Sequence, residues 1–367
     1  MNSIRNKFVF LAVLTLYFFH VAKAQEKASI WKNFDLSGYT EVYYASYSDS
    51  LGANALQKFA TTAPRDQRFS LNIVQVGIHY QDELIRGNLT LHYGDIPKAI
   101  WDPDFPMLQE ANIGVKFANE WWVDAGFFRT HIGTESFLPK DNFTTSTTVA
   151  SYNEPFYQSG VRITYEGSDM FDFQFWVVNG YNYFLDANNA KSVGLLFSYS
   201  LREDLQLTYT NLFGRESLDS FRPKQYRTYH NLYLNYNPFP KTYITVGGDV
   251  GTQSHSQLVK PDKTAIMYNA LATVRYQFTN TYSLTGRVET FQDPDGFISG
   301  TYEDSFGNMT GLQLMGYTLS TEYKPTSISY VRLEGRWVRA KDDLTIFYQN
   351  GPTNDRLEAS VSMGFVF

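Results

Sequence analysis

The stretch EASVSMGFVF, residues 358–367, ends the chain on a strict alternation. Leu357, Ala359, Val361, Met363, Phe365 and Phe367 fall on one face. Glu358, Ser360, Ser362 and Gly364 fall on the other, and only Val366 breaks the polar set. A period of two marks a strand with one apolar face. Chain ends usually fray, so a regular strand that finishes on Phe needs something apolar to lie against. The choice is between a protein core and lipid.

The rest of the chain bears on that choice. Strand-like alternation recurs over 34–48, 67–80, 84–95, 109–118, 121–131, 157–167, 170–181 and 190–201. It continues over 204–215, 225–237, 242–252, 264–278, 282–292, 310–323, 328–340 and 355–367, with no helical segment between. These sixteen runs are joined alternately by short and long connections. The short ones are 81–83, 119–120, 168–169, 203, 238–241, 280 and 325–327. The long ones are 49–66, 96–108, 132–156, 182–189, 216–224, 253–263, 293–309 and 341–354. A soluble sandwich has no reason to gather its long loops at one end. An outer-membrane barrel has short periplasmic turns, long outer loops and an even strand count.

The faces agree with this reading. Val331, Leu333, Gly335 and Trp337 alternate with Tyr330, Arg332, Glu334 and Arg336; Tyr282, Leu284, Gly286 and Val288 alternate with Ser283, Thr285, Arg287 and Glu289. The second face is too charged for a dry core, because an unpaired buried charge costs several kcal/mol. A water-filled lumen removes most of that cost. Two departures are visible. The apolar parity shifts between Ile73 and Val74, and Arg129 takes the lipid parity of its strand. Aromatic residues near strand ends, among them Trp121, Tyr165, Tyr276, Tyr282, Tyr323 and Phe367, suit interfacial girdles.

The sequence opens with Arg5 and Lys7, an apolar run over 8–22 and the small-x-small triplet Ala22-Lys23-Ala24. This reads as a signal peptide over 1–24, cut between Ala24 and Gln25, that exports the chain to the periplasm. Residues 25–367 then form a single barrel domain. The chain has no Cys, which excludes a disulfide framework and thiolate metal sites. The formal charge of −6 argues against a nucleic-acid partner.

Over 125–167 the sequence is more specific. Gly126-Phe127, Ile132-Gly133-x-Glu135, Asn142-Phe143, Pro155-Phe156 and Gly160, with Asn179-Gly180 beyond, resemble the OmpL-like β-barrel porin family of Gram-negative bacteria. FDLSGYTEVYYASYS, residues 34–48, resembles the family's first strand. Where the family often carries an aromatic-Ser-basic-Ser stretch, this chain has Thr144, Thr145, Ser146, Thr147 and Thr148. The resemblance implies a diffusion porin of the bacterial cell outer membrane, without enzymatic activity or cofactor, and sixteen-stranded porins are commonly homotrimers. It also casts Phe365 and Phe367 as the C-terminal signal read by the outer-membrane barrel assembly machinery. By the same analogy the 132–156 loop folds into the lumen and narrows it.

No chemistry competes with this reading. His79 and His92 are too far apart to share a metal, and His131, His230 and His255 stand alone. DPDF at 102–105 and DPDG at 293–296 read as solvated turns. We therefore expect a sixteen-stranded transmembrane antiparallel barrel in outer-membrane lipid. It would be a water-filled channel for small hydrophilic solutes or ions. The alternative is a non-conducting barrel that acts as a binding or structural protein through its outer loops. Arg275, Arg287, Arg332 and Arg336 share the inward parity and are expected to line the lumen as a basic strip. Glu135, Asp141 and Glu154 of the long loop are expected to face that strip across the bore.

Overall fold

A computed structural model describes residues 30–367 except 50, 53 and 187. The expected signal peptide and its cleavage site at Ala24 and Gln25 lie outside the described residues. The chain divides between Asp35 and Leu36 into two units, each described by itself. Within the first, a 3-10 turn over Ile30–Asn33 precedes the start of the first strand.

The second unit is a closed antiparallel barrel. We number its strands β1 (Phe34–Tyr47), β2 (Arg68–Gln81), β3 (Ile85–Tyr93), β4 (Leu108–Ala118), β5 (Trp121–Arg129), β6 (Tyr157–Tyr165), β7 (Phe171–Val178) and β8 (Ser192–Arg202). Then follow β9 (Leu205–Arg215), β10 (Tyr226–Phe239), β11 (Thr242–Gln253), β12 (Ala265–Gln277), β13 (Tyr282–Gln292), β14 (Gln313–Thr326), β15 (Ser329–Ala340) and β16 (Asp355–Val366). Each pairs with its neighbours in sequence, and β16 closes on β1 with Tyr39 opposite Val366 and Tyr47 opposite Glu358. Closure removes the unpaired edge that an open sheet would expose.

The terminal Phe has a fitted place. Phe367 and Gly38 exchange backbone hydrogen bonds at 2.8 and 3.0 Å. A Cβ on Gly38 would stand 2.2 Å from the Phe367 ring, so a larger residue there would push the ring from its place. Behind the seam, Tyr39 donates to Glu41 at 2.9 Å and Asn72 donates to it at 2.6 Å; Tyr330 bonds the same carboxylate. Outward residues such as Ile113, Val288, Leu319, Leu333 and Met363 are exposed, as an apolar face toward lipid requires. At the short-turn end the aromatic side chains pair. Tyr282 and Tyr323 stack at 4.7 Å, and Trp121 and Tyr165 lie 4.9 Å apart.

Three expectations are corrected. Short helices do occur, α1 (Asp95–Ile100) and α2 (Val149–Asn153), each too brief to leave a helical period in the sequence. Asp102 and Asp293 are buried rather than solvated. Asp102 accepts from the backbone amides of Asp104 and Phe105, and Asp293 accepts from those of Ile298 and Ser299, so both cap their own turns. Arg129 does not face lipid. The chain leaves the wall there for the inward loop, and the side chain reaches Glu110 at 3.3 Å and Asp141 at 3.9 Å. The parity of β2 does shift, but one position earlier than expected: Asn72 and Ile73 are both buried, so Ile73 lies inside.

Candidate functional site

The connection between β5 and β6 crosses the bore. It leaves the wall at Thr130 and returns at Phe156, and its middle makes polar contacts on β13, β15 and β16, about half the circumference away. Its base is pinned by His131, whose ring stacks on Trp176 at 4.7 Å, with Nε2 2.9 Å from the Asn211 carbonyl oxygen and Nδ1 3.0 Å from Gln158 Oε1. Burial lowers the His131 pKa to about 4, so the imidazole is neutral at ordinary pH.

On the far wall the four expected arginines all point inward, and the loop lies on them. Arg287 donates from Nη1 to Glu135 Oε1 at 2.7 Å, Thr144 Oγ1 at 2.8 Å and the Ser146 carbonyl at 2.6 Å. Its Nη2 reaches Ser146 Oγ at 2.9 Å. Arg332 donates to the carbonyls of Pro139, Asn142 and Thr144. Arg275 sits 5.1 Å over the Phe143 ring. The wall carboxylates take the amides that face them. Glu334 accepts from Thr145 N at 2.7 Å and Ser146 N at 2.9 Å, and Glu289 accepts from Val149 N at 2.7 Å. Charge-assisted bonds of this kind are about twice as strong as neutral ones.

The run over 144–148 explains why the loop can dock so closely. Five consecutive small hydroxyl side chains put the backbone within reach of the wall. They also make cross-contacts of their own, Thr145 to Ser362 at 2.9 Å and Thr147 to Thr61 at 3.0 Å. Thr148 then caps α2, its side chain accepting from Ser151 N at 3.3 Å.

The strip is therefore neither open nor unpaired. Arg287, Arg332 and Arg336 are 2–4% exposed. Arg336 pairs with Glu289 at 2.6 Å, and Arg332 and Arg275 share Glu322 at 2.7 and 2.8 Å. Glu135 does not face the strip across water; it is in direct contact with Arg287. Asp141 lies beside Lys140 at 2.8 Å, away from the strip. Glu154 is buried against the larger of two cavities, away from the strip. The physical reason is the same throughout: a charge in a narrow bore is stabilised more by a fixed partner than by a thin layer of water.

The unfilled part of the bore lies on the other side of the loop. A cavity of about 450 Å³ is lined by residues including Glu110, Arg129, Arg162, Gln174, Trp176 and Leu196. A second of about 350 Å³ is lined by Tyr233, Asn235, Tyr243, Thr245 and Thr273 among others, and the two share Thr134, Glu135, Asp141, Asn142 and Tyr233. The β9–β12 wall beside them is mostly hydroxyl and amide. The β3–β6 wall carries a basic group that the sequence reading overlooked. Arg86 and Arg162 both bond Asp124, at 2.6 and 3.1 Å, and Arg86 and Lys116 lie over the Trp122 ring. Their inward parity was legible; the covering of the other strip was not. Among the described residues no cluster of three or more His, Asp or Glu could hold a metal ion.

The fold is that of known porins. The chain is similar to the anion-selective porin from Comamonas acidovorans, with a TM-score of 0.61 and 10% identity over 91% of this chain and 99% of that one. It is similar to the outer membrane channel DcaP of Acinetobacter baumannii, with a TM-score of 0.61 and 8% identity over 91% and 97%. Salmonella typhi OmpF aligns with a TM-score of 0.56 and 13% identity over 91% and 97%. No curated protein matches the chain in sequence. A family model described as beta-barrel porin-2, OmpL-like, matches residues 33–367, nearly the whole chain, and the chain belongs to that family.

Proposed function

We propose that this protein is a passive diffusion channel of the Gram-negative outer membrane, with the solute path running between the third outer loop and the β4–β12 wall. One observation carries this reading. The loop crosses the bore and is held on the far wall, which leaves the two adjoining cavities on the near side. Sixteen strands enclose an interior wider than side chains alone can fill. The occupants would be small hydrophilic solutes or ions, and the protein would do no chemistry. The path would narrow at Glu135, Asp141 and Asn142, which line both cavities. Arg275, Arg287, Arg332 and Arg336 would serve to anchor the loop. The ion preference would come from Arg86, Lys116 and Arg162, two of which are partly exposed beside Asp124.

In this reading residues 1–24 direct export, Phe365 and Phe367 engage the barrel assembly machinery, and the apolar outer face sits in lipid, with a homotrimer as the assembled form. Stepwise ion conductance of the purified protein in planar bilayers tests the channel. Absence of steps at high protein dose would overturn it.

A second reading is favoured by a specific feature. Phe59, Val149, Ala150, Leu344 and Phe347 from three loops pack with Phe291, Leu314 and Val338 of the wall into one apolar cluster at the outer end. Such a layer would close the barrel from outside and leave the outer loops as a binding surface. The same bilayer experiment separates the two readings, because a permanently closed barrel gives no steps under any condition.

A further inference from the structure

The outward face of β9 and β10 carries a polar group in the middle of its span. On β9, Thr208, Thr210 and Leu212 are buried toward the bore, so Tyr209, Asn211 and Phe213 face out. On β10, Tyr229 and Asn231 are buried inside, while His230 and Leu232 are exposed outside. Asn211 is the seventh of the 11 residues of β9 and lies opposite His230. A strand of about 9–11 residues crosses the hydrocarbon layer. The group therefore sits near the middle of that layer rather than at a girdle.

The group is hydrogen-bonded but cannot satisfy itself. Tyr209 Oη lies 2.7 Å from His230 Nδ1, and Asn211 Nδ2 donates to the same Oη at 3.0 Å. Asn211 Oδ1 accepts from the Leu195 amide of β8 at 3.1 Å. Asn211 Nδ2 carries two hydrogens, Tyr209 Oη one and the imidazole at least one. The network uses two of them, whichever way the bond between Tyr209 and His230 runs. Two more have no acceptor among the described residues. Lipid tails offer none, and an unsatisfied polar group in hydrocarbon is costly. Headgroups lie at the rims, out of reach. The missing acceptors must come from another protein that spans the same layer.

The same face carries acceptors of the right kind. Asn211 Oδ1 keeps a second lone pair. Two residues nearer the outer end, Thr228 and Thr252 face out together with their hydroxyls 2.7 Å apart, and each oxygen can accept again. The surface beside the group is smooth. Gly248 of β11 and Ala270 of β12 are paired and share the outward parity of Val246, Val250, Ile266 and Val274. Small residues let two walls approach closely within a membrane. Identical barrels in one membrane hold these residues at one depth. Copies packed about an axis normal to the membrane thus bring the spare donors of this face to its own oxygens.

We propose that the outward face of β9 and β10 around Tyr209, Asn211 and His230 seats a second copy of this chain and looks toward the symmetry axis of the assembled form. The proposal deepens the assembly reading by naming the wall that makes the contact. It rests on the outer face lying in lipid and does not depend on conduction.

The chain has no Cys, so an introduced thiol can form a disulfide only with another copy. Leu232→Cys places one beside His230 and leaves the polar group intact. Leu333→Cys places one on β15, also outward and 60% exposed, as the control for chance collision. Oxidation of membranes that hold each variant should give a covalent dimer band from Leu232→Cys well above that from Leu333→Cys. Adding Tyr209→Phe and His230→Leu to Leu232→Cys removes the hydrogen-bonding group. It should weaken association about threefold to thirtyfold for each bond between copies that is lost. The dimer band should fall accordingly, and light scattering in mild detergent should show a shift from oligomer to monomer. A Leu232→Cys band no stronger than the control overturns the proposal. So does a wild-type chain that is monomeric in both assays, or a folded variant whose band and mass stay at the Leu232→Cys values. A strong Leu232→Cys band that the double change abolishes, in a protein that never conducts, upholds the contact and sinks the channel reading instead.

Discussion

Replacing Arg287 with Ala should loosen the third loop without unfolding the barrel. The guanidinium makes five hydrogen bonds, four of them to Glu135, Thr144 and Ser146 of the loop and one to Thr318 of the wall. Its side chain is 0% exposed and that of Glu135 is 10% exposed. Removing one partner of such a buried pair strands the other and typically costs about 3–5 kcal/mol. The cost falls on loop docking, because the strand ladders on both sides of β13 are backbone-paired and do not use this side chain. At about 1.4 kcal/mol per decade, the docking equilibrium weakens by roughly two to three orders of magnitude. Arg332, Glu334 and Glu289 still hold the segment, so the expected result is frequent excursions rather than a lost loop. Single-channel recordings should show added noise and larger sub-states. Liposome swelling should admit neutral solutes that wild type excludes. Glu135→Gln combined with Arg287→Ala removes the stranded charge and should recover part of the wild-type trace. Wild-type noise, conductance and size limit in Arg287→Ala would refute the idea that this arginine anchors a constricting loop.

Other outcomes follow from the same geometry. Deleting 138–150 should raise conductance and the size limit in liposome swelling, and unchanged values in a folded barrel place the constriction elsewhere. Changing Arg86 and Arg162 together to Gln should lower anion preference at low salt more than changing Arg287 and Arg336 to Ala, since only the first pair is exposed to the bore. The difference should fade near 1 M salt, where the Debye length is about 3 Å, and equal reversal potentials at low salt contradict it. Deleting Phe367 should reduce outer-membrane levels far more than it lowers the stability of refolded barrel, because one interfacial aromatic contributes only about 1–3 kcal/mol by area. Normal surface levels after that deletion count against a role in assembly.

The barrel was legible because its signals are local. Each strand carries its own period of two, and each hairpin carries its own loop length, so β15 reads inward and outward correctly from YVRLEGRWVRA alone. The approximate ends of strands also follow: the run over 121–131 becomes Trp121–Arg129. What could not be read is the partner of an inward side chain. Parity places Arg287, Arg332 and Arg336 inside. It does not say whether water or 144–148, some 140–190 positions earlier in the chain, fills the space in front of them. Arg129 failed for a related reason. Parity holds only while the chain stays in the wall, and Arg129 is its last residue there. The bond from Asn231 of β10 to Thr134 of the loop joins positions 97 apart that share no motif, so no spacing could have announced it.

The distribution of charge around the wall has a mechanical logic. On β13–β16 the inward side chains Arg287, Glu289, Glu322, Arg332, Glu334, Arg336 and Glu358 form a nearly balanced set. A balanced set cannot impose a strong ion preference on a pore. It can hold a segment rich in backbone amides and carbonyls, because it offers donors and acceptors in equal measure. The loop run over 144–148 is of that kind, uncharged and bristling with hydroxyls. A loop with charged side chains there would upset the balance and would need its own counterions. Conversely the β9–β12 wall, apart from Arg275 and Asn231, which touch the loop, faces in with Thr208, Thr210, Asn235, Thr245 and Thr273 and has little to repel a neutral solute. Anchoring and passage therefore call for opposite chemistries, and the barrel keeps them on opposite sides. Where the loop does touch the passage side it uses neutral groups: Asn231 of β10 donates from Nδ2 to Thr134 Oγ1 at 3.0 Å, and the Phe143 ring lies 5.9 Å from that of Tyr243.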